Sequence, residues 1–304
     1  MSLDLDLKQS REYEMRVYLD SMSAMYENAL AQNGEIYDIA RTSTKDFRNI
    51  TTGAIMADSR IIKILRYAIA PSISQMKFGQ FFGLGSIGIF ENDRLEPRSA
   101  KHNALCKIAP QIADFATKNL DGNRFLWVSN PKSKISDPIL ASDYAKGWTC
   151  SIAADQNAQT RYRNWRKDQQ EYAIASTLVE LGYTKSSYRG VVATHTDIKI
   201  GDFTQELKVK GRTRQKADII VRSKKTKKLV LIEAKAVGVE LDSTKRIKEC
   251  CDKANDWKSG KDLDEPIVAT VIAGFFTSTG IQNLLASKIS VIWEHRLTDL
   301  SKIL

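Results

Sequence analysis

The stretch that most constrains this chain is Leu229-Val-Leu-Ile232, an uninterrupted apolar run that leads directly into Glu233-Ala-Lys235. A strand apolar at every position is buried on both faces, so it belongs in the middle of a layered domain. Residues i and i+2 of a strand share a face, which points Glu233 and Lys235 the same way. A carboxylate and an ammonium at the end of a buried strand are costly unless they pair or serve a metal and a substrate.

The second half of the chain supplies the layers. An amphipathic helix is predicted over 161–181, with Ile174, Leu178 and Leu181 on one stripe and Gly182 at its end. Strands follow at 188–200, 203–209, 217–221 and 229–234, with Gly201-Asp202 and 223–227 as turns. A helix capped by Asp242 runs through Trp257, then a long apolar strand over 267–276, a short helix over 278–287 and a last strand over 289–293. That order predicts an α/β domain. Residues 1–75 read as helical, with Ser59 capping a helix that Pro71 stops, and a further helix covers 105–120. Pro131, Pro138, Gly147 and many small polar residues in 129–160 place a boundary near 150. The expected division is a mostly helical region over 1–150 and an α/β domain over 151–304.

Charge narrows the function. Of the 304 residues, 46 are Lys or Arg and 36 Asp or Glu, and the excess lies in the second half. Within 208–228 ten basic residues, among them Arg212, Arg214 and Lys216, surround one acid, Asp218. A polyanion such as nucleic acid is the natural partner for such a run. No window approaches about 18 consecutive apolar residues, and the acidic start lacks the apolar core of a signal peptide, so a soluble intracellular protein without membrane contact is expected.

An acid two residues before a lysine recurs along the chain, as at Asp197, Glu206, Glu233 and Asp256. Glu233 stands apart, because it alone follows an apolar strand. Asp197 and Glu206 read as solvated strand residues, and Asp256 as surface charge near a helix end. The segment from Asp218 to Glu233 has the length of a β-hairpin, which would bring the two carboxylates together beside Lys235. Such a set suits a hard divalent cation with a proton handler at hand. A salt-bridged hairpin would show the same pattern.

Asp218 followed by Glu233-Ala234-Lys235, set in an order similar to that family's core of helix, three strands, helix and strand, resembles the PD-(D/E)XK nuclease superfamily over 160–276. Ala217 stands where that family often has proline. The resemblance implies a mixed central sheet flanked by helices. Mg²⁺ would be held by Asp218, Glu233 and the Ala234 carbonyl, with Lys235 acting on the attacking water. The family often adds a glutamate from the helix before the first strand, and Glu171 is the candidate. Arg66-Tyr-Ala-Ile-Ala-Pro-Ser-Ile-Ser74 and Val291-Ile-Trp-Glu-His-Arg296, with the helical first half, are similar to XamI-type restriction endonucleases. That likeness implies a type II restriction enzyme cutting double-stranded DNA as a homodimer in a prokaryotic cytoplasm, beside a modification methyltransferase. Arg212, Arg214, Lys216, His295 and Arg296 are the expected DNA contacts. A repair or recombination nuclease of the same core, or a basic DNA-binding protein without catalysis, are the alternatives.

Three other features point elsewhere and are weaker. Gly83-Leu-Gly85-Ser-Ile-Gly88 matches a dinucleotide-binding glycine pattern without a clear strand before it. The histidines 102, 195 and 295 lack metal-ligand spacing. The four cysteines form neither a disulfide framework nor a CxxC pair.

Overall fold

The computed structural model describes residues 2–129 and 138–304. The described chain divides into two compact units, one of Met22–Arg161 and one of Met1–Ser21 with Tyr162–Leu304. The boundary expected at 150, whose Pro131 lies outside the described residues, falls inside a 43-residue helix. Small side chains at Ala145, Thr149, Ala153, Ala154 and Ala158 are buried along that helix, so the composition that suggests a linker is a close-packing face.

Helices α1 (Leu3–Ser43), α2 (Thr52–Ala57), α3 (Ile61–Ala68), α4 (Gln75–Phe81), α5 (Gly88–Glu91), α6 (Ala100–Asn119), α7 (Leu126–Ser129) and α8 (Pro138–Glu180) come first. Among the described residues, the Met22–Arg161 unit is built from these alone, around Tyr37, Phe47, Ile55, Ile62, Phe78 and Phe125. Its buried Arg66 reaches Glu91 at 2.8 Å, and Gln75 donates to the same carboxylate at 2.6 Å. Ser59 does not cap α3; its hydroxyl donates to the Asp93 carbonyl, and Arg60 occupies the cap position without a side-chain bond. The Gly83–Gly88 segment joins α4 to α5, with no strand leading in.

The second unit carries the sheet. Its strands are β1 (Thr184–Lys185), β2 (Asp202–Lys210), β3 (Arg214–Arg222), β4 (Leu229–Val237), β5 (Ile267–Gly274) and β6 (Ser290–Trp293), in spatial order 1-2-3-4-5-6. β2, β3 and β4 are antiparallel neighbours; β1 joins β2, and β5 and β6 extend from β4, in parallel. Helices α9 (Glu240–Lys258) and α10 (Ser278–Ala286) supply the parallel connections. One face of the sheet packs with Ile247, Cys250, Ala254 and Trp257 of α9, and the other with Ile174 and Leu178 of α8. The expected mixed sheet flanked by helices is therefore present. Residues 188–200 are not a strand: Val192 bridges Val209, and Asp197 folds the loop by accepting from the backbone of Ala193 and Thr194.

The start of α1 belongs to this unit through buried ion pairs. Arg166 of α8 reaches Glu14 and Glu294, each at 2.8 Å, with all three side chains almost fully buried. Tyr162 donates to Glu14 at 2.8 Å, and Ser10 accepts from the Gly274 backbone at 2.9 Å. One guanidinium thus satisfies two carboxylates from segments far apart in sequence. Replacing Arg166 with Met strands both acids, so equilibrium denaturation should show a loss of about 3–5 kcal/mol.

Candidate active site

Three carboxylates converge on the α8 face of the sheet. Single oxygens of Glu171, Glu206 and Asp218 all lie within 4.8 Å of one another. Glu171 comes from α8, one turn before the apolar stripe that seats the helix on the sheet. Glu206 and Asp218 come from opposite points of the β2–β3 ladder, between the pairs Gln205–Ile219 and Leu207–Ala217.

Regular alternation does not produce this arrangement. Nearer the sheet centre, Phe203 and Ile219 pack toward α8; farther out, Leu207, Val209 and Ala217 pack toward α9. The odd-numbered positions therefore change faces between 205 and 207 on β2 and between 217 and 219 on β3. Glu206 sits at the change with φ at +58°, a left-handed conformation rare for a side-chain-bearing residue and worth about 1–3 kcal/mol of strain. Backbone pairing between β3 and β4 begins only at Ile219–Ile232. Beside that splay the Asp218 carboxylate accepts from the Ala234 backbone N–H at 2.9 Å.

Glu233 and Lys235 hold a neighbouring position. Glu233 is 2 % exposed, and its Oε1 accepts from Lys235 at 2.5 Å and from Lys253 of α9 at 2.7 Å. Lys253 also donates to the Lys216 carbonyl at 2.9 Å. Glu233 is not in the set whose oxygens all lie within 4.8 Å, although its Oε2 is buried without a hydrogen-bond partner among the described residues. Two residues here, Lys253 and Glu206, carry no functional signal in the sequence. Lys253 lies on a helix whose face toward the sheet no local pattern marks as functional. Glu206 reads as a solvated strand residue; its side chain is 45 % exposed, yet it completes the carboxylate set.

The electrostatics separate the carboxylates. Burial raises Glu171 above its ordinary 4.5, and the Asp218 charge adds to this against the pull of Lys167. Burial raises Glu233 likewise, with Asp218 second, while Lys235 and Lys253 oppose. Hydrogen bonds from Lys216 and Lys167, at 2.8 and 2.9 Å, lower Glu206. Burial pulls the Lys235 ammonium down, but the Glu233 carboxylate outweighs it and leaves the group raised.

This donor set fits a hard divalent cation. Such ions take carboxylate oxygens, and a buried Glu171 oxygen has no hydrogen bond while lying 3.2 Å from Lys167. The charge that crowds three acids together is the charge a cation offsets. An open cleft lined by Glu171, Tyr172, Lys185, Phe203 and Gln205 gives access.

The other expected contacts lie elsewhere in the same unit. Arg212 and Arg214 are exposed at the tip of the β2–β3 hairpin, whereas Lys216 is tied to Glu206. His295 and Arg296 line a pocket with Gln9, Tyr13 and Arg16 of α1, and Arg296 engages Asp6 at 2.9 Å and Asp299 at 2.6 Å. No helix among the described residues is long and apolar enough to cross a membrane.

A family model described as XamI restriction endonuclease matches residues 45–293. The type II restriction enzyme SalI of Streptomyces albus G is 25 % identical over 297 residues, covering 93 % of this chain and 91 % of that enzyme. Among solved structures, protein VC1899 from Vibrio cholerae aligns with 92 % of this chain at 12 % identity. This chain spans about half of it (55 %), with a TM-score of 0.27.

Two outcomes are expected of the carboxylates. A folded-state value raised above 4.5 means that the Glu171 contribution to stability is full below that pH and is lost as pH rises through the folded value. In chelator, Glu171→Gln should therefore gain in Tm relative to the parent as the pH rises above 4.5. Millimolar Mg²⁺ should raise the Tm of the parent at neutral pH and leave that of Asp218→Asn unchanged.

Proposed function

From a chain that belongs to the XamI restriction endonuclease family, with a PD-(D/E)XK core and DNA as its substrate, we infer a Mg²⁺-dependent type II enzyme. It hydrolyses phosphodiester bonds of duplex DNA at a specific sequence. The observation that carries this reading is the convergence of Glu171, Glu206 and Asp218 beside a Glu233 already paired with Lys235.

In this reading Asp218 is the central ligand, fixed by the Ala234 N–H. Glu171 and Glu206, together with Glu233 and the Ala234 carbonyl of β4, would supply further oxygens to the ion. Mg²⁺, when bound, would supply Lewis acidity at the scissile phosphate and ease deprotonation of the attacking water. Lys235, held as an ammonium by Glu233, would orient the attacking water and offset the charge that builds on phosphorus. Lys253 anchors Glu233 from the other side and keeps the carboxylate aimed. Arg212 and Arg214 meet the DNA at the hairpin tip.

The helical first half serves sequence recognition and dimer contacts, since the chemistry uses residues of the sheet-bearing unit. A homodimer matches the two antiparallel strands of a duplex with one catalytic centre each. In a prokaryotic cytoplasm such an enzyme works beside a methyltransferase that protects the host's own sites.

Purified protein should cut unmodified duplex DNA into discrete fragments with Mg²⁺ and not with EDTA, and Lys235→Ala should stop cleavage while DNA binding persists. Cutting confined to branched substrates would point to a repair nuclease. Binding without any cutting would leave a DNA-binding protein.

A further inference from the structure

The outer half of the β2–β3 hairpin carries an arrangement that the folded chain alone does not explain. Its register sets Lys208 directly opposite Lys216 and Lys210 directly opposite Arg214. Like charges placed opposite each other on a ladder repel. Lys216 is neutralised by Glu206 at 2.8 Å. Lys208, Lys210 and Arg214 are exposed and, among the described residues, have no side-chain ion pair or hydrogen bond. Because Val209 and Ala217 pack toward α9, these cations stand on the opposite face, the face of Glu206 and Asp218. They therefore form two rungs leading outward from the carboxylates.

The hairpin is also held in place. Asp256 of α9 is buried, and its Oδ1 accepts from the Thr213 backbone at 2.7 Å and from the Thr213 hydroxyl at 2.8 Å. Ser259 accepts from the Arg212 backbone at 3.0 Å, and a Cβ at Gly211 would collide with the Asp256 carbonyl. The tip is docked onto the end of α9, so the cations are presented on a fixed frame.

We propose that this hairpin is a preformed track for the DNA backbone: Lys208, Lys210 and Arg214 contact phosphates leading away from the cut, and Asp256 is the positioning residue that holds the track. The proposal rests on the reading of the carboxylate site as a duplex-DNA nuclease. Rungs two residues apart are separated by about 6.7 Å, so the second lies about 13 Å from the carboxylates. At a rise of about 3.4 Å per nucleotide, the track spans about four nucleotides on one side of the cut. Phosphate contacts fix register and carry no sequence information. The track should therefore strengthen binding to cognate and unrelated DNA alike.

The test measures DNA affinity in chelator against salt concentration, on cognate and scrambled duplexes, for the parent and for Lys208→Ala/Lys210→Ala/Arg214→Ala. Each phosphate contact contributes about 0.9 to the slope of log affinity against log salt. The triple variant should lose about 2.7 of that slope on both duplexes and melt at or above the parent, since the repelling pairs are gone. Neutral methylphosphonates within about four nucleotides of the cut should weaken the parent more than the variant. Asp256→Ala should lower the slope without removing a cation, and Asp256→Asn, which keeps an acceptor for Thr213, should restore it. An unchanged slope in the triple variant overturns the track. A loss confined to the cognate duplex overturns it in favour of base reading, and an unchanged slope in Asp256→Ala removes Asp256 from it. Cleavage by the parent in Mg²⁺ is scored separately: a parent that binds with the expected slope but does not cut sinks the nuclease reading and leaves the track standing. A parent without salt-dependent binding sinks the track whether or not it cuts.

Discussion

Two strands in a regular ladder cannot turn the same residue parity toward both helical layers, and the site depends on the place where this one does. At Glu206 and Asp218 the inward and outward positions of β2 and β3 exchange faces. That exchange brings two strand carboxylates onto the α8 side, within reach of Glu171. Without it, the parity that Ile220 follows would carry Asp218 toward α9 and away from Glu171. The positive φ of Glu206 and the late start of the β3–β4 pairing are the local costs of the exchange. A left-handed residue inside a strand, set among like charges, is what a functional constraint, as opposed to a packing one, leaves behind.

The same exchange explains what could be read from the chain. Glu233 and Lys235 stand out in the sequence because an apolar run leads into them, and Asp218 because it is the lone acid of a basic run one hairpin away; the apolar β4 and the β3–β4 hairpin are both present in the sheet. Glu206 does not stand out, since its role requires a strand residue in a left-handed conformation, and no residue pattern announces that for a glutamate. Asp256 was misread for a different reason. An aspartate near a helix end reads as solvated, but this one is buried as an acceptor for a turn 43 residues away. Such a partner becomes visible only when the hairpin is folded back onto α9.

Errors in the larger organisation also have physical causes. The long α8 hides behind small and polar residues that read as linker yet form a close-packed face. The alternation over 188–200 suggests a strand, but Asp197 uses its carboxylate to bind two backbone N–H groups of its own loop. Side-chain capping of this kind competes with strand pairing. The attachment of α1 to the sheet-bearing unit had no local signature at all, because Glu14 acquires its meaning only from Arg166 and Glu294.

That attachment has a consequence in time. Glu14 leaves the ribosome 152 residues before Arg166 and waits a further 128 for Glu294. At about 5–20 residues per second, the wait for Arg166 alone lasts on the order of ten to thirty seconds. The Met22–Arg161 unit is continuous in sequence and has all its parts before that moment. Synthesis therefore sets an order of assembly in which the helical unit can be complete while the first turns of α1 still lack their counter-ion. The catalytic sheet closes over them last.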